Sequence, residues 1–200
     1  MGTLGIDGAT LIKKYEGFSL KFYGDPYGYP TVGWGHLITD KTVYSNHKNT
    51  TGNPSDSLLT QAEADALSKS LSLGYTSPIT QPQADNFFTS DTSDAVAKVN
   101  GLTLPSQQQF SKYQFDALVS LVFNCGDKVL QTPDVVNMLC YAPIFTTYTG
   151  NPTAAELDTC SRLVSKAFSY DPNLKPRRNE EATLFCKGMG YSHKYPVYTL

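Results

Sequence analysis

Phe115, Leu118, Val119, Val122 and Phe123 recur at the i, i+3, i+4, i+7, i+8 spacing of one helical face. A stripe that broad must be covered by other parts of the chain. It therefore predicts a helix over 111–124 at the centre of a core, stopped by Gly126. Other helical patterns stand on either side of it. Asp7 is placed to cap a first helix carrying Leu11, Ile12 and Tyr15, and Gly17 supplies its stop, so Glu16 falls at that helix's C-terminal end. Thr60 with Glu63 has capping-box spacing. Thr80 reads as a cap ahead of Ala84, Phe87 and Phe88, and Ser93 as the cap of a further helix with Val96 and Val99, ending at Gly101. Residues 134–141 and 154–168 read as a helical pair, and Pro176 opens a last helix ending near Gly188.

Residues 20–38 have a different texture. Gly24, Gly28, Gly33 and Gly35, with Pro26 and Pro30, punctuate aromatic and β-branched residues, which predicts short twisted strands joined by tight turns. Residues 40–54 are polar and turn-rich and read as a surface insertion. A small β-region followed by a helical body is an α+β pattern, and 200 residues fit one domain.

Composition narrows the partners. Only 17% of residues are charged and the net charge is −2. The densest basic spot, Lys175 to Arg178, runs straight into Glu180 and Glu181, so nothing here feeds a counterion-release term and nucleic-acid binding is disfavoured. No apolar run reaches the length of a membrane span, so no membrane partner is expected. The first residues lack the basic and apolar regions of a signal peptide. Either export does not use one, or the sequence starts at a mature end. Three scattered histidines without an HExxH pattern, and cysteines at 125, 140, 160 and 186 without C-x-x-C spacing, argue against a metal. No cofactor is expected. The cysteines fit either buried thiols or two disulfides in an oxidising compartment, the second being preferred. The sequon Asn49-Thr50-Thr51 leans slightly towards secretion.

Hydrolysis of a glycosidic bond takes two carboxyl groups, one to protonate the leaving oxygen and one to activate water or attack the sugar. The acid must hold a proton near neutral pH, which takes burial or a neighbour that disfavours its charge. Glu16 stands between Tyr15 and Gly17-Phe18, an aromatic setting. Asp25 falls in the glycine-rich turns, where a carboxylate can stay solvated, and Thr31 follows with a hydroxyl able to hold a water. Spacing alone is weak support, since a helix-end Glu and a turn Asp are common.

The surrounding residues carry more. Tyr15-Glu16-Gly17-Phe18, Phe22-Tyr23-Gly24-Asp25 and Gly28-Tyr29-Pro30-Thr31-Val32-Gly33-Trp34-Gly35-His36 closely resemble the signature of the phage-type lysozymes. That pattern is Glu-Gly, a strand, Asp, then Gly-x-x-Thr-x-Gly-x-Gly-His. Three later segments are similar to the family too: 79–85 to a helix start, 114–126 to the central helix, and 176–185 to a closing Arg-Arg-x-x-Glu helix.

The resemblance implies a lysozyme-like fold, with a β-lobe at about 18–40, a helical lobe at about 79–190 and the site in a cleft between them. Residues 41–78 stand as an insertion relative to compact members. The implied activity is cleavage of the β-1,4 bond between N-acetylmuramic acid and N-acetylglucosamine in bacterial peptidoglycan. Glu16 would be the general acid, and Asp25 and Thr31 would position the water. Inversion is implied as well, with the carboxyls roughly 6.5–9.5 Å apart. In the family fold the ends of the helices bearing Cys125 and Cys186 meet, and Cys140 and Cys160 lie on neighbouring helices. The implied disulfides are therefore Cys125–Cys186 and Cys140–Cys160, which would suit a secreted antibacterial monomer.

Tyr23 and Trp34 flank the motif and could stack on sugar, although alternation in Val32-Gly33-Trp34 favours packing for Trp34. His36 is a candidate substrate contact whose commoner role is a structural pair, and His47 and His193 read as solvated. Asp116, beside the apolar stripe, reads as an anchoring hydrogen bonder, and Arg177 and Arg178 as partners of Glu180 or Glu181, or of the cleft wall. Two rival functions remain. A lytic transglycosylase needs the acid but no water-activating Asp, and an inactive wall-binding module needs neither.

Overall fold

A computed structural model describes residues 1–40, 46–103, 110–141, 153–169, 171–190 and 197. Seven α-helices lie among them: α1 (Ile6–Glu16), α2 (Gln61–Ser70), α3 (Gln81–Asn100), α4 (Lys112–Cys125), α5 (Pro133–Tyr141), α6 (Ala154–Ala167) and α7 (Lys175–Gly188). One antiparallel sheet has the order β1 (Ser19–Gly24), β2 (Pro30–Gly33), β3 (His36–Leu37). The class is α+β. The chain divides into two compact units, Met1–Ile12 with Thr92–Leu200, and Lys13–Asp91, the boundaries falling inside α1 and α3.

The first unit is built on α4. Ser111 caps it, with Gln114 completing a capping box, and Gly126 ends it at φ 76°. Phe115, Leu118, Val119 and Val122 are buried as the stripe requires, and Ala117, Leu121 and Ser120 are buried too, so α4 is enclosed nearly all round. Burial of its polar residues needs partners. Ser120 Oγ donates to Glu181 Oε1 at 2.6 Å, and Glu181 in turn accepts from Arg177 Nε at 3.2 Å and Arg178 Nη1 at 2.5 Å. Arg178 also reaches Asn124 Oδ1. The arginines pair with Glu181, one of the two partners expected for them, and through Ser120 and Asn124 this buried network clamps α7 onto α4. Asp116 is the anchor expected of it: its two oxygens accept from Gly5 N at 2.7 Å and Gly8 N at 3.1 Å. Those amides open α1, so Asp7 sits inside the first turn and the cap comes from α4 instead.

Two further expectations are corrected in this unit. The cysteines form no disulfide: Cys160 Sγ is 3.6 Å from Met189 Sδ, Cys125 Sγ contacts Asn124 Oδ1 at 3.8 Å, Cys140 is exposed and Cys186 is buried. The helix ends therefore do not bring Cys125 to Cys186 or Cys140 to Cys160 in bonding geometry. Ser93 caps nothing, because α3 runs unbroken through it. No Gly or Pro stands between residues 83 and 100 to stop propagation, and Thr89 turns its hydroxyl back onto the Asp85 carbonyl at 2.9 Å.

The second unit holds the sheet. Its strands β2 and β3 have only four and two residues, too little to stand alone. The following segment completes it. Leu59 N donates to Phe22 O at 2.9 Å, Ile79 N to Leu20 O at 2.8 Å, and Ser77 Oγ accepts from Phe22 N at 3.1 Å, so the outer edge of β1 is covered. Leu59, Ala64, Leu67 and Ile79 then join Phe22, Val32 and Ala84 in one core. Each large apolar side chain buried there stabilises by about 1.5–3 kcal/mol relative to exposure. Leu59, Ala64 and Leu67, within the 41–78 segment read as an insertion relative to compact family members, thus contribute to the unit's core. α2 carries the expected Thr60–Glu63 capping box.

Candidate active site

Glu16 is the last residue of α1, and Gly17 at φ 71° ends the helix there. Across from it lies the two-residue turn Trp34-Gly35 joining β2 to β3. Gly35 has φ 80°, and a Cβ built on it would stand 3.6 Å from Glu16 Oε2. The turn needs glycine for its backbone and brings that backbone close to the Glu16 carboxyl.

Asp25 follows β1 directly. Its Oδ1 accepts from Tyr27 N and Tyr29 N, both at 2.8 Å, which fixes the carboxyl against the turn backbone. Its own amide donates to Tyr29 O at 3.0 Å and its carbonyl accepts from Gly28 N at 3.0 Å. Thr31, buried in β2, stands opposite Tyr23 in the β1–β2 register. The Thr31 hydroxyl donates to Tyr29 O at 2.9 Å. With its proton used there, the oxygen can meet another molecule only as an acceptor.

Tyr23 lies buried within reach of both carboxyls' fields. Burial pushes its phenol up to about 12, and Glu16 and then Asp25 push in the same direction. Both carboxyls therefore bear on one phenol, which stays neutral across the physiological range. Tyr23 is buried, so its ring is in the packing of this unit.

Trp34 is enclosed by Phe18 at 4.5 Å and Phe88 at 5.8 Å between ring centroids, with Lys13 Nζ 3.7 Å over its ring. Lys13 is held in turn by Asp85 at 3.0 Å. His36 Nδ1 lies 3.0 Å from both oxygens of Asp91, and its ring stacks on Phe87 at 4.2 Å. The structure thus places Asp25, Thr31 and Tyr23 about the β1–β2 turn and Glu16 against the β2–β3 turn, with Trp34 and His36 in packed, paired positions. The most exposed ring near Asp25 is Tyr27, 72% accessible.

His47, read as solvated, instead pairs with Glu63 at 3.1 Å. His193 lies outside the described residues. Asn49, in the sequon, is buried, and its Oδ1 accepts from Thr51 N, Thr51 Oγ1 and Gly52 N. Sequence reasoning did not find Asp91 and Phe87 as partners of His36. Both sit on α3 in a stretch whose pattern gives no sign of what it faces. Among the described residues, no group of three His, Cys, Asp or Glu could hold a metal ion.

Residues 13–181 match the family described as phage lysozyme. An endolysin of Acyrthosiphon pisum secondary endosymbiont phage 1 is 29% identical over 180 residues, covering 89% of this chain and 94% of that protein. Among solved structures, the endolysin from Escherichia coli O157:H7 phage FAHEc1 has a TM-score of 0.55 at 23% identity, covering 92% of this chain and 93% of that one. The muramidase domain of SpmX from Asticaccaulis excentricus has a TM-score of 0.54 at 20% identity, covering 92% and 98%. The likeness to these two structures is one of fold.

Proposed function

The chain belongs to the phage lysozyme family, and from that premise we propose that it hydrolyses the β-1,4 bond between N-acetylmuramic acid and N-acetylglucosamine in peptidoglycan, with Glu16 as general acid. It is a glycoside hydrolase of lysozyme type. Asp25 and Thr31 align the attacking water in this reading. What supports it is the geometry of the motif: Glu16 stands against the Gly35 backbone, the Asp25 carboxyl is fixed by the Tyr27 and Tyr29 amides, and Thr31 stands opposite Tyr23 in the sheet.

Each group has a distinct task. Glu16 protonates the glycosidic oxygen as the C–O bond breaks. Asp25, its carboxyl fixed by the Tyr27 and Tyr29 amides, takes a proton from the water. Thr31 accepts a hydrogen bond from that water, because its own proton is committed to Tyr29 O. Attack from the face opposite the leaving group inverts the anomeric carbon.

Asp25→Asn and Thr31→Ala test the water-activating half. Release of reducing ends from purified peptidoglycan falls at least about a hundredfold in Asp25→Asn and more modestly in Thr31→Ala. Proton NMR of the first product shows the inverted anomer. A retained anomer, or full activity in Asp25→Asn, contradicts the assignment.

A further inference from the structure

Asp25 is gripped from outside its own hairpin. Residues 46–59 cross the end of β1 at Gly24 and Asp25. The crossing is so close that a Cβ built on Gly24 would stand 1.5 Å from the His47 carbonyl oxygen. Ser57 Oγ donates to Gly24 O at 2.9 Å, and Asn49 N donates to Asp25 O at 3.1 Å. Both Asn49 and Ser57 are buried. Asn49 also shapes its own segment, because its Oδ1 gathers Thr51 N at 3.2 Å, Thr51 Oγ1 at 3.3 Å and Gly52 N at 2.9 Å. His47 ties the same segment to α2 through Glu63.

The two gripped carbonyls belong to the peptide units on either side of the Asp25 Cα. Fixing one sets the plane before that atom, and fixing the other sets the plane after it. Together they fix the backbone angles of Asp25 and so the direction of its Cα–Cβ bond. The Tyr27 and Tyr29 amides then fix only the last rotation, by holding Oδ1. The hairpin supplies one bond to each plane, Asp25 N to Tyr29 O and Gly28 N to Asp25 O, and the crossing segment adds the second to each: Ser57 Oγ donates to Gly24 O and Asn49 N to Asp25 O.

We infer that Asn49 and Ser57 are positioning residues for Asp25: the crossing segment aims the water-activating carboxylate. The inference rests on the role proposed for Asp25. It gives residues of the polar 46–59 stretch a part in the reaction that neither composition nor motif reveals. Catalytic groups tolerate little misplacement, so loss of either grip acts on the chemical step rather than on binding of the glycan.

The test is a set of kinetic variants on purified peptidoglycan, each made alone and in an Asp25→Asn background. Ser57→Ala and Asn49→Ala each lower kcat by about tenfold with KM changed less than about twofold. Asn49→Asp, which keeps an acceptor oxygen for Thr51 and Gly52, restores most of the loss. In the Asp25→Asn background the same variants cost less than about twofold, because the group they aim is already gone. Equal losses in both backgrounds, a change in KM alone, or wild-type kcat in both strap variants overturns the inference. Wild-type kcat in Asp25→Asn itself overturns the role of Asp25, an outcome read separately from the strap variants.

Discussion

At the scale of the residue, the site is a set of polar atoms whose freedom has been removed one bond at a time. Asp25 accepts two backbone amides on one oxygen, Thr31 donates its only proton to Tyr29 O, and Gly35 brings bare backbone to Glu16. Tyr23 shows the electrostatic consequence. Its folded value of about 12 lies above the ordinary 10.0, so the protonated phenol favours folding below pH 10, and that contribution is lost as the pH rises from 10 through about 12. The tyrosinate absorbance difference between wild type and Tyr23→Phe is accordingly expected to titrate near pH 12. A difference that titrates near pH 10 would show that neither burial nor the two carboxyls act on this phenol. The motif residues were legible in the sequence because their spacing is that of a known signature. Asn49 and Ser57 were not, since their burial is sustained by hydrogen bonds and leaves no apolar pattern to read.

At the scale of the element, caps and stripes carried the most information. Thr60 with Glu63 starts α2 where the two side chains predict, α4 begins at Ser111 as its stripe predicts, with a capping box to Gln114 that was not read from the sequence, and Gly17 and Gly126 stop α1 and α4. Ser93 misled because a capping residue binds its backbone only if the chain has a reason to break, and 84–99 contains none. The cysteines misled for another reason: helix ends can be neighbours without presenting two sulfurs to each other. The α4–α7 clamp was legible only as a pair of arginines near two glutamates. In the structure Glu181 is fully buried between Arg177 and Arg178, where burial pushes its carboxyl up and the guanidiniums pull it back. Glu181→Gln leaves two buried guanidiniums without their counter-charge. Denaturant unfolding is expected to show a loss of about 3–5 kcal/mol, the usual scale for breaking a buried pair. A loss under about 1 kcal/mol would mean that the arginines find water or another partner at little cost.

At the scale of the whole molecule, the α+β class was visible from one glycine-punctuated stretch set among helical patterns. The division into two units was not, because α1 and α3 each belong to both and their patterns run on without a break. The low charge gives little long-range attraction to a charged wall, so recognition of the glycan falls to short-range contacts. Tyr27, exposed two residues beyond Asp25, stands where such a contact would be made. The central claim is that this chain uses water, with Glu16 as the acid, to cut the glycan. Mass spectrometry of the muropeptides released from purified peptidoglycan by wild type and by Glu16→Gln tests it most directly. Reducing N-acetylmuramic acid ends are expected from wild type and none from Glu16→Gln. Anhydro-muramic products would contradict it, because they form without water and leave Asp25 and Thr31 with nothing to align.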